Sequence, residues 1–463
     1  MKGCVNMYTR LMTIPLTLAA ALCWPGLAWA SGGSSIDLTG HMVGFMALGL
    51  FFIAYVFVML EEFTHLRKSK PVILAAGIMW ALVAWQYIGH DQPHLAEEAV
   101  RHNILEYAEL LLFLLVAMTY VNALEERQVF NCLKSWLIRK GFSYRQLFWV
   151  TGFLAFFISP VADNLTTALL MCAVILAVGA ESPRFVGISC INIVIAANAG
   201  GAFSPFGDIT TLMVWQKGIV DFWGFFVLFV PALVSYLIPA AAMHFAIPNI
   251  SPSASDERID MLRGAKRIMA LFLATIITAV CFHNFLHLPP MLGMMTGLSY
   301  LLFFGYYLKK KNGNEVVEFD IFNKVKRAEW DTLLFFYGVV LCVGALGQIG
   351  YLAMLSDAMY NQMGPLFANS MVGVLSAIVD NIPVMFAVLS MNPEMSQGHW
   401  LLVTLTAGIG GSLLSIGSAA GVALMGQARG KYTFFGHLKW MPVIALGYGA
   451  GIVSHLWVNA ALF

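Results

Sequence analysis

The chain has 463 residues, of which 59% are hydrophobic and 11% charged, about half the charged share of an ordinary soluble domain. Its 26 basic and 25 acidic residues leave a formal net charge of +1, so no basic surface offers itself to nucleic acid and no acidic tail is present. This excludes most soluble proteins and points to a lipid bilayer as the solvent; the seven cysteines form no C-x-x-C pair and lie mostly in apolar runs, which argues against both a disulfide framework and a zinc site.

Lys2 and Arg10 precede an apolar run from Leu11 to Trp24 that ends in Ala28-Trp29-Ala30, the pattern of a cleavable signal peptide over residues 1–30. The mature chain then starts outside a bacterial inner (cytoplasmic) membrane. Apolar length and the Lys/Arg bias of the short loops give a consistent multi-pass topology. A span near His41 to Leu60 leads to cytoplasmic Arg67, Lys68 and Lys70, and a second near Pro71 to Ile88 leads to an external loop, His90 to Arg101. A third, Ile104 to Leu124, returns to Glu125–Gln146, whose five basic residues and apolar positions suggest an amphipathic helix on the membrane surface.

The next two apolar segments, Leu147 to Ile158 and Leu165 to Val178, fall short of the about 20 residues a crossing needs. Separated by Ser159-Pro160-Val161-Ala162-Asp163-Asn164, they predict a re-entrant hairpin opening to the cytoplasm beside Arg184. The segment Phe185 to Trp215 is interrupted at Asn198 to Asp208 by a run too rich in Gly and Pro for a regular helix, so a broken helix is expected. A span from Phe222 to Ala246 and two more near Ile268 to Phe285 and Pro290 to Leu308 complete an N-terminal membrane half, 31–310, followed by a cytoplasmic linker, 311–330.

The C-terminal half, 331–463, repeats these features. Ser376-Ala377-Ile378-Val379-Asp380-Asn381 lines up with Ser159 to Asn164, and Gly410-Gly411 and Gly417-Ser418 line up with Gly200-Gly201 and Gly207-Asp208 after a difference of seven residues between the two anchors. The topology brings the second hairpin, Leu366 to Leu389, in from outside, and runs the second broken helix, Leu401 to Met425, back to cytoplasmic Arg429 and Lys431 before a last span from Trp440 to Val458. The expected fold is an all-α polytopic membrane protein with two inverted-topology repeats, each holding a re-entrant hairpin and a broken transmembrane helix. That is the layout of a secondary transporter with its site at the midplane, because broken helices leave backbone groups that lipid cannot satisfy.

The four interruptions carry Asp163, Asn164, Thr166 and Thr167; Ser204, Asp208, Thr210 and Thr211; Asp380 and Asn381; and Ser412, Ser415 and Ser418. All offer oxygen and none is Lys or Arg, a cage suited to a hard cation such as sodium or lithium, with Asp163, Asp208 and Asp380 as the charged ligands. Burial and mutual repulsion disfavour three simultaneous charges at membrane depth, so the same carboxylates can take protons or a metal ion in turn. On the third span His102, Glu106 and Glu109 share one helical face and suggest a proton relay or pH sensor near the external mouth. No P-loop, Rossmann glycine pattern or nucleophile set stands in the right context, so neither a cofactor nor an enzyme is expected.

The Asp-Asn hairpin tips and Gly-Gly broken helices resemble the NhaD-type sodium/proton antiporters of the ion transporter superfamily. The resemblance implies exchange of cytoplasmic sodium or lithium for external protons, a paired inverted-repeat fold within the lipid bilayer, a homodimer, and functional weight on Asp163, Thr166, Asp208, Thr210 and Asp380. An anion or metalloid permease of the same fold, arsenite-like or dicarboxylate, is the alternative. The dicarboxylate branch typically carries Ser-Asn-Thr at its tips, where this chain has Asp163-Asn164-Leu165-Thr166 and Asp380-Asn381-Ile382-Pro383.

Overall fold

A computed structural model describes residues 36–463 except 65, 180, 251–257 and 312–319. The expected signal segment, 1–30, and residues 312–319 of the expected linker lie outside the described residues. Among those described there is no strand, and ten helices are long and apolar enough to cross a membrane.

In chain order, α1 (Met42–Met59), α2 (Ser69–Gly89) and α3 (Pro93–Glu126) are spans, and α4 (Val129–Arg139) is a short helix. The first hairpin is α5 (Tyr144–Ala162) and α6 (Asn164–Val178); the first broken helix is α7 (Pro183–Gly201) and α8 (Ile209–Gln216). A 3-10 stretch, Phe222–Leu228, opens α9 (Phe229–His244), and α10 (Ala265–Leu286) and α11 (Pro290–Lys311) precede the short α12 (Ile321–Lys326). Then come α13 (Trp330–Ile349), α14 (Tyr351–Ser356), the second hairpin α15 (Pro365–Ser376) and α16 (Asn381–Met391), and the second broken helix α17 (Gln397–Gly410) and α18 (Ala419–Gln427). The short α19 (Phe434–Leu438) and the span α20 (Met441–Val458) end the chain.

Two expectations need correction. The segment His90 to Arg101 is not a loop: Pro93 at the first helical position starts α3 there, and the Arg101–Glu97 pair at i, i+4 supports its exposed first turns. The leading arm of the first hairpin has 19 residues rather than twelve. Ser143 and Gln146 form a capping box that starts α5 early, and Pro160 sits in its last turn, where the helix is about to end anyway.

That proline has a use. Lacking an N–H, it frees the carbonyl of Phe156, four residues back. Gly200 of α7 lies so close to this oxygen that a Cβ there would stand 2.2 Å from it. The second half repeats the approach with Gly410 and the Gly373 oxygen, at 2.1 Å. Ser159 Oγ donates to the Ala197 carbonyl at 2.7 Å and Ser376 Oγ to the Ala407 carbonyl at 2.8 Å, again with a seven-residue difference in separation, 38 against 31. Local geometry therefore follows the register of the sequence repeat.

Helices α7 and α17 form the centre, with every residue of Ser189–Gly201 and Trp400–Gly410 buried. Peripheral α10 and α20 turn Leu273, Ile277, Val453 and Trp457 outward, as a lipid-facing surface requires.

The expected inversion of the repeats predicts a sidedness. Arg184 and Gln397 are exposed near the starts of α7 and α17. In a background without native thiols, a cysteine at position 184 is expected to react with a membrane-impermeant reagent only from the cytoplasm, and one at 397 only from outside. Labelling of both from one side would remove the inverted repeat.

Candidate functional site

Both hairpin tips and both helix breaks converge on one cavity of about 140 Å³. Of the residues expected at a site, Asp163, Asn164, Thr166, Asp208, Asp380, Asn381 and Ser418 line it. Each break ends in a polar N-cap whose side chain satisfies the first free N–H groups of the helix behind it. Asp208 accepts from Thr210 N at 3.1 Å and Ser418 from Gly421 N at 3.3 Å, with nearly equal backbone angles, φ −140° and ψ 152° against φ −146° and ψ 150°.

Asp163 caps α6: its Oδ1 accepts from Thr166 N at 2.8 Å and its Oδ2 from Thr166 Oγ1 at 2.9 Å. Its φ of 60° is uncommon outside glycine and concentrates at functional sites, at a cost of about 1–3 kcal/mol.

The two halves meet at Asp208. Its Oδ2 accepts from Asn164 Nδ2 at 2.7 Å, from the first hairpin tip, and from Asn381 Nδ2 at 2.8 Å, from the second. Both bonds are charge-assisted when the carboxylate is ionised. Asp380 differs, since its Oδ1 is buried without a hydrogen-bond donor, within electrostatic reach of Lys68.

The carboxylates do not gather into a cage of three. Among the described residues, no three His, Cys, Asp or Glu side chains stand close enough to hold a metal ion between them. Asp163 and Asp208 are each tied to the helix they cap, so a cation in this cavity would take amide, hydroxyl or backbone oxygen besides a carboxylate.

The remaining expected residues stand behind the lining. Ser204 Oγ donates to the Pro160 carbonyl at 3.0 Å and braces the first tip; Thr167, Thr210 and Ser415 are buried. His102, Glu106 and Glu109 are away from the cavity. His102 Nε2 lies 2.9 Å from Glu106 Oε1, and Glu106 forms an ion pair with Lys217, which follows α8. Glu109 is half-buried in the field of Glu106 and Lys217.

Sequence reasoning missed Asn198, whose Nδ2 donates to Ser412 Oγ at 2.9 Å and Ser418 Oγ at 3.0 Å while its Oδ1 is buried without a donor. It also missed Lys68, Arg327 and Glu329, through which the cavity reaches the surface. Asn198 stood within a recognised interruption. The other three could be found only from the fold.

The citrate-transporter family model matches residues 55–408. The chain is 61% identical to the Na(+)/H(+) antiporter NhaD of Alkalimonas amylolytica, covering 96% of this chain and 97% of that one. The chain belongs to the citrate-transporter family and, within it, to the NhaD antiporters. The NhaD of Vibrio cholerae is 58% identical over 98% of this chain and 99% of its own, and sodium/proton antiporter 1 of Arabidopsis thaliana 32% identical over 89% and 72%. With ten candidate spans, this NhaD-family chain is a multi-pass bacterial membrane protein.

Since Asn164 and Asn381 serve one oxygen, their removal should be coupled. If the cavity binds sodium, Asn164→Leu and Asn381→Leu are each expected to weaken that binding by about 2 kcal/mol, the scale of a hydrogen bond to a charged group. The double variant should depart from additivity, read as the apparent KM for sodium in everted vesicles. Additive losses would mean the two asparagines act separately.

Proposed function

We propose that this chain is a secondary transporter exchanging cytoplasmic sodium or lithium for external protons at the cavity between the hairpin tips. The observation that carries this reading is Asp208, a buried carboxylate held by an asparagine from each half, in a cavity it shares with Asp163 and Asp380.

The lining has four acidic side chains against two basic ones, which favours a cation. A carboxylate can be neutralised by either a proton or a sodium ion, and exchange follows if only one occupies it at a time. Thr166, Asn198 and Ser418 add neutral oxygen, in keeping with the hardness of sodium and lithium. The cavity reaches the surface at Lys68, Arg327 and Glu329, which the positive-inside rule assigns to the cytoplasm, so its orientation suits capture of internal sodium. External acidity would be sensed by His102 and Glu109, with Glu106 joining them to Lys217 beside α8.

A second reading, an anion or metalloid permease, draws on Lys68 and Arg327 in the lining. Everted vesicles separate the two: added sodium collapses a preset pH gradient in the first case and leaves it standing in the second.

Asp163→Asn is expected to abolish this exchange with the protein still inserted, because the amide keeps the shape and removes both charge and proton carriage. Sodium-dependent proton flux at the wild-type rate would sink the role of Asp163. The equivalent Asp380→Asn shows whether the halves contribute equally. Glu109→Gln should shift the activity profile along the pH axis more than it lowers the maximum, and an unmoved profile would remove Glu109 from the pH response.

A further inference from the structure

We infer that His437, outside the cavity, is a positioning residue for the exchange reaction: it holds the backbone of the second helix break and, through it, Asn198. The inference rests on the sodium/proton reading above.

Helix α17 ends at Gly410 and α18 begins at Ala419, so the carbonyls between them have no helical partner. In lipid such a group needs a donor from the protein. Ser412 finds one in His437, whose Nε2 lies 2.8 Å from the Ser412 oxygen although 25 residues separate them. A carbonyl only accepts, so Nε2 carries the hydrogen. Nδ1 of the neutral ring is then an acceptor, and the Tyr432 hydroxyl, 2.8 Å away, donates to it. All three residues are sealed from solvent: His437 is 0% exposed, Tyr432 2% and Ser412 1%.

The same Ser412 reaches the cavity lining through its side chain. Its Oγ and that of Ser418 together receive Asn198 Nδ2, and this fixes the direction of Asn198 Oδ1, which is buried, without a donor, on a residue lining the cavity. His437 is therefore joined to Asn198 by two hydrogen bonds through Ser412, and acts on the proposed cation through Asn198.

The first break explains why an outside brace is needed. There Thr211 Oγ1 donates to the Ser204 carbonyl at 2.8 Å, so the break is pinned from within its own helix. In the repeat register Gly421 stands where Thr211 stands, and it has no side chain to do this. Tyr432 and His437, from the segment after α18, pin the second break from outside instead, at the carbonyl of Ser412, which stands where Ala202 stands in the first break.

The test is sodium- and lithium-dependent exchange by the full-length protein in proteoliposomes at fixed pH, with KM and maximal rate obtained for each ion. His437→Leu fills the space without a donor and is expected to raise the KM for sodium about tenfold, the scale of one hydrogen bond, and to change the sodium-to-lithium KM ratio. His437→Gln, which returns an N–H near the Nε2 position, should bring KM back to within about threefold of wild type. Tyr432→Phe, a milder change retained in case the leucine variant does not fold, should raise the sodium KM about two- to threefold, since it removes the donor to Nδ1 and leaves Nε2 in place. Sodium KM values unchanged in His437→Leu or, where that variant does not fold, in Tyr432→Phe, or a lower rate with both ions' KM values unmoved, would overturn the positioning role. A wild-type protein without sodium-coupled flux would instead overturn the transport reading and this inference with it.

Discussion

A carboxylate among membrane helices has to be answered by donors, and Asp208 is answered from both halves of the chain. Asn164 and Asn381 each give its Oδ2 an amide hydrogen, although 44 and 173 residues separate them from it. Leaving such a group unpaired in hydrocarbon costs several kcal/mol, so the two tips cannot withdraw from Asp208 without a proton or cation taking their place. On the proposed reading, hairpin position and ion occupancy are in this way one equilibrium.

The helix breaks obey the same constraint for the backbone. A chain that stops being helical at membrane depth exposes carbonyls and N–H groups, and two of the freed carbonyls find side-chain donors, Pro160 O in Ser204 and Ser412 O in His437, while Phe156 O packs against Gly200. Glycines at 200 and 410 are required because any Cβ would strike a neighbouring backbone oxygen. Close approach of α5 to α7, and of α15 to α17, follows from these contacts and brings the tips to the level of the breaks.

Much of this was legible in the chain. Two Asp-Asn pairs and two Gly-Gly pairs in repeat register named the elements that meet at the cavity, since polar residues in lipid have few destinations. What escaped has a physical reason in each case. The helical start of α3 was hidden because its charged turns look like a loop when only hydropathy is weighed. Asn198 was seen as part of an interruption but not as a lining residue, because its direction depends on hydroxyls more than 200 residues later. Lys217 was invisible because its partner Glu106 is on another helix, and Lys68 because it enters the cavity from a loop.

The repeats also differ where the chemistry differs. The first half puts a carboxylate, Asp208, at its helix break and a threonine, Thr211, behind it; the second puts Ser418 and Gly421 at the matching positions. Thr166, which holds both oxygens of Asp163, is matched by Pro383, which has no side-chain donor, and Asp380 Oδ1 is correspondingly without one. Asp163 is thus committed to its own helix and Asp208 to the two tips, while Asp380 keeps an oxygen uncommitted. If this cavity is the exchange site proposed above, it must accept an ion and then release it, and a division between fixed carboxylates that set the field and one with a free lone pair serves that better than three equivalent ligands, which would bind the cation too tightly to let it go.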